Sequence, residues 1–269
     1  RDAKDNPYFR DCTDDELTFQ VEGVESHVDV TLDRMSQRSS LLAQLDEAKS
    51  ELDRSRVVRD YGRLSERALE LVTSDKMRAA FDIRRESPKL RDRFGRHLFG
   101  QSMLMGRRMI EAGARFVTVL WDCPDGYSWD SHRNSDGVGK YLLPGFDQSM
   151  SALLEDLSDR GLLDETLVVW GGEFGRTPTC QGAGRDGRDH NPEGFTMWMA
   201  GGGIKGGVTL GETDEYSYNP VSDSVHINEI NATILHCLGI NHEQLTYRFQ
   251  GREFRLTDVH GKVVKDILA

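Results

Sequence analysis

The apolar run Leu167–Trp170 and the polar loop directly behind it constrain the fold of this chain more than any other segment. The run Leu-Val-Val-Trp is typical of a β-strand, and it stops at two glycines. Glu173, Arg176 and Thr177 follow within the next few residues. Since ligands bind outside the carboxyl ends of the strands in open α/β sheets, we expect this loop to contribute to a binding site.

The residues around this loop follow the order of strand, helix and strand that builds parallel sheets. Arg115–Trp121 has the composition of a strand, helical spacing predicts a helix over Leu143–Arg160, and Thr166–Trp170 is the next strand. Phe195–Ala200 is a candidate third strand, and Gly206–Leu210 resembles a hairpin. The sequence therefore predicts an α/β fold whose sheet contains parallel strands.

The first 97 residues differ in character from the rest of the chain. Residues 1–27 are polar and irregular, while apolar residues at helical spacing predict helices over residues 28–52 and 61–72. We therefore divide the chain into a polar N-terminal segment with a charged helical region, residues 1–97, and an α/β portion, residues 98–269, within one expected domain. Three further helices are predicted: a short one capped by Thr73 or Ser74 and running through Phe81, and those over Phe99–Ala112 and Ile227–Leu238.

The composition argues against several classes of protein. A net charge of -11 disfavours nucleic-acid binding, because recognition of the phosphate backbone needs a basic surface. The acidity fits carboxylates around a cation and also fits simple solubility. The four cysteines are far apart and form no C-x-x-C pair, which leaves neither a zinc ribbon nor a readable disulfide framework. No run approaches the roughly 20 apolar residues of a membrane span, so we expect none.

Two polar clusters supply candidate metal ligands. Asp130 and His132 lie in the loop after the first predicted strand, and Asp189 is adjacent to His190 in a second loop. With Glu173 they form a set of carboxylates and imidazoles that suits a divalent cation, namely zinc, manganese, calcium or magnesium. Each also has a plainer interpretation. The first pair could form a hydrogen-bonded turn, Glu173 could pair with a nearby arginine, and His190 could be fixed by backbone contacts.

Arginines and a hydroxyl close to these clusters are candidates for binding an anion. Arg176 has a planar fork that suits sulfate or phosphate, and Arg185 and Arg188 flank the adjacent Asp-His pair. We therefore expect Arg176 and Arg188 to act in catalysis by stabilising an oxyanion, and Arg176, Thr177, Arg185 and Arg188 to contact substrate. The alternative for Arg176 is that it braces the loop against a neighbouring aspartate.

Eight short motifs, taken in order, carry a resemblance to a known family. They are Phe99–Ser102, Arg107-Arg108, Glu111–Gly113, Trp129–His132, Arg160–Thr166, Gly172–Pro178, Gly187–His190 and Ala200–Lys205. Together they resemble the bacterial family called DUF1501, from about residue 28 to the end of the chain. Members are abundant in planctomycetes and are similar to sulfatases within the alkaline phosphatase superfamily. The resemblance implies a mostly parallel central sheet flanked by helices, and metal-dependent hydrolysis of sulfate or phosphate esters.

The chain departs from the sulfatase pattern in its ligands and its nucleophile. Where sulfatase-like enzymes carry an Asp-His pair after a strand, this chain has Glu173-Phe174. The resemblance therefore implies that one ligand is either lost or moved, with His190 as the candidate for its new position. Neither an early aspartate nor a C-x-P-x-R or S-x-P-x-R nucleophile motif is identifiable. Because family members begin with a further strand and site loop, the resemblance leads us to expect an N-terminally truncated fragment. It also implies an exported protein, periplasmic or extracellular, although no signal sequence is recognisable in this chain.

Three hypotheses about function follow. The first is a metal-dependent hydrolase of an anionic ester that uses the five candidate ligands and the arginine clamps. The second is a non-catalytic module on the same fold that binds sulfated polysaccharide or a partner protein. The third is a surface-associated structural protein with a vestigial cleft. The expected partner is an anionic ester or a sulfated glycan, and the sequence leaves the oligomeric state open.

Overall fold

The computed structural model describes residues 6–19, 34, 37, 40, 74–121, 129–133, 135–180 and 186–269. The helix predicted over residues 61–72 lies outside the described residues, and of the one over residues 28–52 only Arg34, Gln37 and Ser40 are described, all helical. By its internal contacts the chain divides into two compact units. The first unit comprises residues 1–121 and 148–150, and the second comprises residues 122–147 and 151–269.

Three helices of the first unit begin at residues whose side chains cap them. α1 (Asp75–Phe81) follows Ser74, whose hydroxyl accepts a hydrogen bond from Met77 N–H at 3.3 Å. α2 (Pro88–Phe94) follows Ser87, whose hydroxyl accepts from Leu90 N–H at 3.2 Å. α3 (Leu98–Glu111) starts one residue before the helix that the sequence predicts. A short 3-10 turn, Ile83–Arg85, lies between α1 and α2.

The apolar core of the first unit joins residues near the N-terminus to these helices. Leu17 and Ile83 are almost fully buried and pack with Cys12. Phe19, Leu98 and Met105 are partly buried and pack against this cluster. Residues 6–19 contain turns and no helix or strand. They are held by this burial of apolar surface and by two backbone hydrogen bonds, from Cys12 N–H to Arg96 O at 2.9 Å and from Leu98 N–H to Pro7 O at 3.1 Å.

A buried arginine on α3 organises the polar interior of the same unit. The side chain of Arg107 is fully buried, and it donates to Glu86 Oε1 at 2.9 Å and to Glu111 Oε2 at 2.6 Å. Arg108 also donates to Glu86 Oε1 and, at 2.9 Å, to the carbonyl oxygen of Ala80. Because a buried charge is tolerated only when it is paired, Glu86 ties α3 to the segment that follows α1.

Arg115–Trp121 was predicted as a strand, and the structure assigns no strand to these residues. The alternation expected of a strand is nevertheless present. Val117 and Val119 lie against Gly106 of α3, whereas Phe116 and Leu120 are 69% and 82% exposed. Within the described part of the chain this segment has no hydrogen-bonded partner strand, and a partner strand is what defines a ladder.

The second unit contains three helices and eight short strands among its described residues. α4 (Ser135–Gly137) leads through the π-helical turn Val138–Leu142 into α5 (Leu143–Asp159), and α6 is Ile227–Cys237. His226 caps α6 in a reciprocal arrangement with Glu229. The strands are β1 (Leu167–Trp170), β2 (Gly175–Cys180), β3 (Arg188–Asn191), β4 (Trp198–Gly201), β5 (Glu212–Thr213), β6 (Pro220–Ser222), β7 (Thr246–Phe249) and β8 (Arg252–Arg255). Two 3-10 turns complete it, Leu163–Glu165 and Lys265–Ile267.

The described strands form four two-stranded antiparallel sheets, β1 with β4, β2 with β3, β5 with β6, and β7 with β8. β1 coincides with the strand predicted over Thr166–Trp170, and β4 overlaps the candidate strand Phe195–Ala200. Gly206–Leu210, which resembles a hairpin in sequence, has a turn and no strand. None of the four sheets is parallel, so the mostly parallel central sheet stays a prediction.

The hairpin β7–β8 is exposed along both strands. Tyr247 pairs with Phe254 and Phe249 pairs with Arg252, which places these four side chains on one face. Arg252 lies over the Phe254 ring, with its Cζ 5.0 Å from the centroid. Among the described residues, no helix is both long and apolar enough to cross a bilayer.

Candidate metal centre

The ribbon β2–β3 supplies one side of the candidate site. In its register Gly175 pairs with Asn191 and Arg176 pairs with His190. Since directly opposed residues of an antiparallel pair point to the same face, Arg176 and His190 share one face of the ribbon. Both segments were predicted as loops, and their polar residues are instead held by strand pairing.

The loop at residues 129–133 supplies the other side, and β3 holds it in place. Arg188 N–H donates to the carbonyl oxygen of Ser131 at 3.0 Å, which ties the loop to the first residue of β3. The backbones come so close at Gly187 that a Cβ there would lie 1.9 Å from the carbonyl oxygen of His132. Only glycine fits this approach, so the sequence at residue 187 sets how closely the loop approaches β3.

Three predicted ligands converge where the loop meets the ribbon. His132 Nε2 lies 2.8 Å from His190 Nε2, and Asp130 Oδ1 lies 2.9 Å from His190 Nε2 and 3.0 Å from His132 Nε2. We call these three residues the triad. Their side chains are 57%, 25% and 41% exposed for Asp130, His132 and His190, so the triad is open to solvent. In the described part of the chain, it is the group whose donor atoms all lie close enough to hold a metal ion.

Two hydrogen-bond donors stabilise the ionised form of Asp130 in the triad. The hydrogen bond from His190, followed by the one from Arg176, lowers the pKa of Asp130 from its ordinary 3.8 to about 2. Arg176 Nη2 donates to Asp130 Oδ1 at 2.7 Å. Asp130 is therefore ionised at neutral pH, in the protonation state that a metal ligand requires.

Asp189 lies beside the triad rather than in it. Its Oδ1 accepts from His190 N–H at 2.8 Å and lies 3.8 Å from His132 Nδ1. His132 Nδ1 is buried and makes no hydrogen bond to the described residues. Metal-binding histidines generally turn the nitrogen that does not bind toward a carboxylate, which orients the ring. Asp189 is placed for that orienting contact, although the sequence suggested it as a direct ligand.

The other predicted site residues have separate positions. Glu173 is exposed in the bend before β2 and is not part of the triad. Arg188 directs its Nη1 toward the carbonyl oxygens of Asp186 and Gly187, at 2.6 and 3.1 Å, and not into the triad. Thr177 accepts from Asp189 N–H at 3.1 Å, so it supports β3. Arg185 lies outside the described residues.

Sequence reasoning missed two residues that build the site. Phe174 stands where sulfatase-like enzymes carry a histidine, and its ring centroid lies 4.0 Å from that of the His190 ring. Asn191 is 4% exposed and donates from Nδ2 to the carbonyl oxygens of Ser217 and Tyr218, both at 3.1 Å. It anchors the end of β3 to the turn between β5 and β6. An amide directly after the Asp-His pair was the available signal for such an anchor.

The comparisons with known proteins identify a family without a known activity. The model of the family described as "Protein of unknown function (DUF1501)" matches residues 4–268. A search of the curated proteins and one of the solved structures found no match.

Proposed function

The chain belongs to the DUF1501 family, whose function is not known, and we propose that it is a metal-dependent hydrolase of sulfate or phosphate esters. The observation that carries this proposal is the convergence of Asp130, His132 and His190 at distances of 2.8 to 3.0 Å. Three protein ligands leave a coordination position open for water or substrate, as in catalytic rather than structural zinc sites.

The donor set favours zinc or a similar transition metal among the four cations expected from sequence. Two imidazoles and one carboxylate suit such ions, whereas calcium and magnesium prefer oxygen ligands. Bonds of about 2.0 to 2.1 Å in a tetrahedral arrangement separate ligand atoms by about 3.3 Å. The triad atoms are a few tenths of an ångström closer than that, so a small outward movement accommodates the ion.

Each neighbouring residue has a task in the proposed reaction. A bound ion would polarise the ester oxygen and lower the pKa of a bound water. Arg176 would stabilise the charge on the oxygens of the reacting sulfate or phosphate group. Asp189 would orient His132, and Phe174 would fix the ring of His190 by packing on it.

The wider expectations belong to the same proposal. We propose that the chain has the α/β fold of the sulfatase-like enzymes in the alkaline phosphatase superfamily. The protein would act outside the cytoplasm of a bacterium of the planctomycete type, on an anionic ester or a sulfated glycan. Glu173 would then join the site only in a conformation that brings its exposed carboxylate to the triad. A contact between Arg185 and substrate is part of the same proposal.

The second candidate is a non-catalytic module that binds sulfated polysaccharide on the same fold. The exposed position of Glu173 favours it, because there its carboxylate supplies neither a ligand nor a general base to the triad. Glycan binding that persists in chelator, with no turnover, would support this candidate over the hydrolase.

Metal content and ester hydrolysis test the main proposal together. The purified protein is dialysed against zinc or manganese, its bound metal is measured, and hydrolysis of aryl sulfate and aryl phosphate is followed. His132→Ala and His190→Ala should lose both metal and hydrolysis. His260→Ala, which removes an exposed histidine away from the triad, is the matched control and should keep both. Wild-type protein without bound metal, or hydrolysis untouched by the triad changes, would defeat the proposal.

A further inference from the structure

The guanidinium of Arg176 lies beside the carboxylate oxygen of Asp130 that a metal ion would bind. Its Nη2 lies 2.7 Å from Asp130 Oδ1, the atom that is also 2.9 Å from His190 Nε2 and 3.0 Å from His132 Nε2. Because Oδ1 faces both ring nitrogens, it is the carboxylate atom that would bind an ion in the triad. The guanidinium therefore balances the charge of Asp130 in the absence of an ion.

A metal ion and this guanidinium would compete for the same oxygen. An ion bound about 2.0 to 2.2 Å from Oδ1 would stand within a few ångströms of Nη2, where like charges repel. Arg176 has other contacts that keep it beside the triad if it leaves Asp130. Nη2 also donates to the carbonyl oxygen of Trp129 at 3.1 Å, and Nη1 donates to that of Arg188 at 3.4 Å.

We propose that Arg176 exchanges Asp130 for an anion when a metal ion binds. This inference rests on the proposed function and adds to it a coupling between metal binding and anion binding. The ion takes Asp130 Oδ1, and the Nη2 N–H released from that oxygen then donates to a tetrahedral oxyanion, sulfate or phosphate, beside the ion. Without the ion, Asp130 both occupies Arg176 and repels the anion. The site therefore binds its substrate more tightly once the metal is bound.

Such an exchange makes the two binding events cooperative. By linkage, the factor by which the metal raises the affinity for the anion equals the factor by which the anion raises the affinity for the metal. A different arrangement is available to the same residues. If Arg176 stayed on Asp130 as an outer hydrogen-bond donor, it would support the ligand, and its removal would weaken metal binding by about 10- to 100-fold. The two arrangements therefore predict opposite changes in metal affinity when Arg176 is replaced.

The first experiment is a calorimetric titration of the full chain with zinc. Arg176→Met should bind zinc more tightly than wild type, by about fivefold or more, because the competing cation is gone. Arg188→Met is the charge-matched control, since it also removes one arginine from the ribbon while Arg188 donates to Asp186 and Gly187 rather than to Asp130. Weaker zinc binding by Arg176→Met, no change, or an equal rise in both variants would each overturn the exchange.

The second experiment measures binding of inorganic sulfate to wild-type protein with and without saturating zinc. Zinc should tighten sulfate binding by about fivefold or more, and Arg176→Met should lose most of that gain. Equal sulfate affinity in both conditions would overturn the inference without any variant. Failure of the wild type to bind zinc would defeat the proposed function as well. Zinc binding and ester hydrolysis that persist while the coupling is absent would defeat the exchange alone.

Discussion

Replacing Gly187 by alanine should disrupt the metal centre while leaving every ligand unchanged. The added Cβ would lie 1.9 Å from the carbonyl oxygen of His132 and 2.1 Å from its carbonyl carbon. Contacts below 3.0 Å are essentially never seen for real Cβ atoms, so the loop and β3 must separate by about 1.1 Å. The colliding atoms belong to the backbone, and no change of rotamer relieves them.

That displacement is several times the small movement that the triad needs to accept an ion. Misplacement of a functional group by about 1 Å costs about 100-fold in activity, and we expect a loss of that order in zinc affinity. Calorimetric titration of the folded variant measures it. Gly172→Ala in the neighbouring loop is the control, since its Cβ would meet only Phe174 O, at an ordinary 3.4 Å. Zinc affinity of Gly187→Ala within about twofold of wild type would refute the reasoning.

Three further outcomes are expected. Glu86→Gln removes the carboxylate shared by Arg107 and Arg108 and should lower the free energy of unfolding by about 3 kcal/mol in urea denaturation, where an unchanged value would contradict the pairing. Burial raises the pKa of Glu86, but Arg107 and Arg108 outweigh it and hold this pKa below its ordinary 4.5. Its stabilisation is therefore present above pH 4.5 and lost as the pH falls through the folded-state pKa. The difference in the free energy of unfolding between wild type and Glu86→Gln should therefore shrink in acid. A difference that stays constant in acid would argue against stabilisation by the ionised Glu86. Asn191→Ala removes two hydrogen bonds, and we expect a loss of about 2 kcal/mol of stability together with weaker zinc binding; wild-type values of both would exclude an anchoring role.

The sequence predicted well those helices and strands that depend on a local pattern of residues. α3, α5 and α6 lie within one residue of the predicted bounds, because apolar residues at helical spacing end at glycines. β1 was predicted from its apolar run and the glycines behind it. β2 and β3 were missed because Gly, Arg, Thr, Pro and Asp lack the alternation of a strand. Pairing between two such segments depends on contacts made by the folded chain.

The candidate site was predictable in its residue types and less so in its membership. The structure brings together Asp130, His132 and His190, which the sequence proposed from two separate loops. It leaves Glu173 outside, since a spacing of residues says nothing about the direction in which an exposed side chain points. In the sequence Gly187 is only the first residue of a motif, and the requirement for glycine there comes from a backbone contact with His132.

The triad joins parts of the chain that are distant in sequence. His132 and His190 are 58 residues apart, and Asp130 and His190 are 60 apart. An ion bound by all three would act as a removable crosslink between these parts of the chain, and it would restrict the denatured ensemble much as a disulfide does. Binding and release of the ion would then raise and lower the free energy of unfolding reversibly, separate from any turnover at the site.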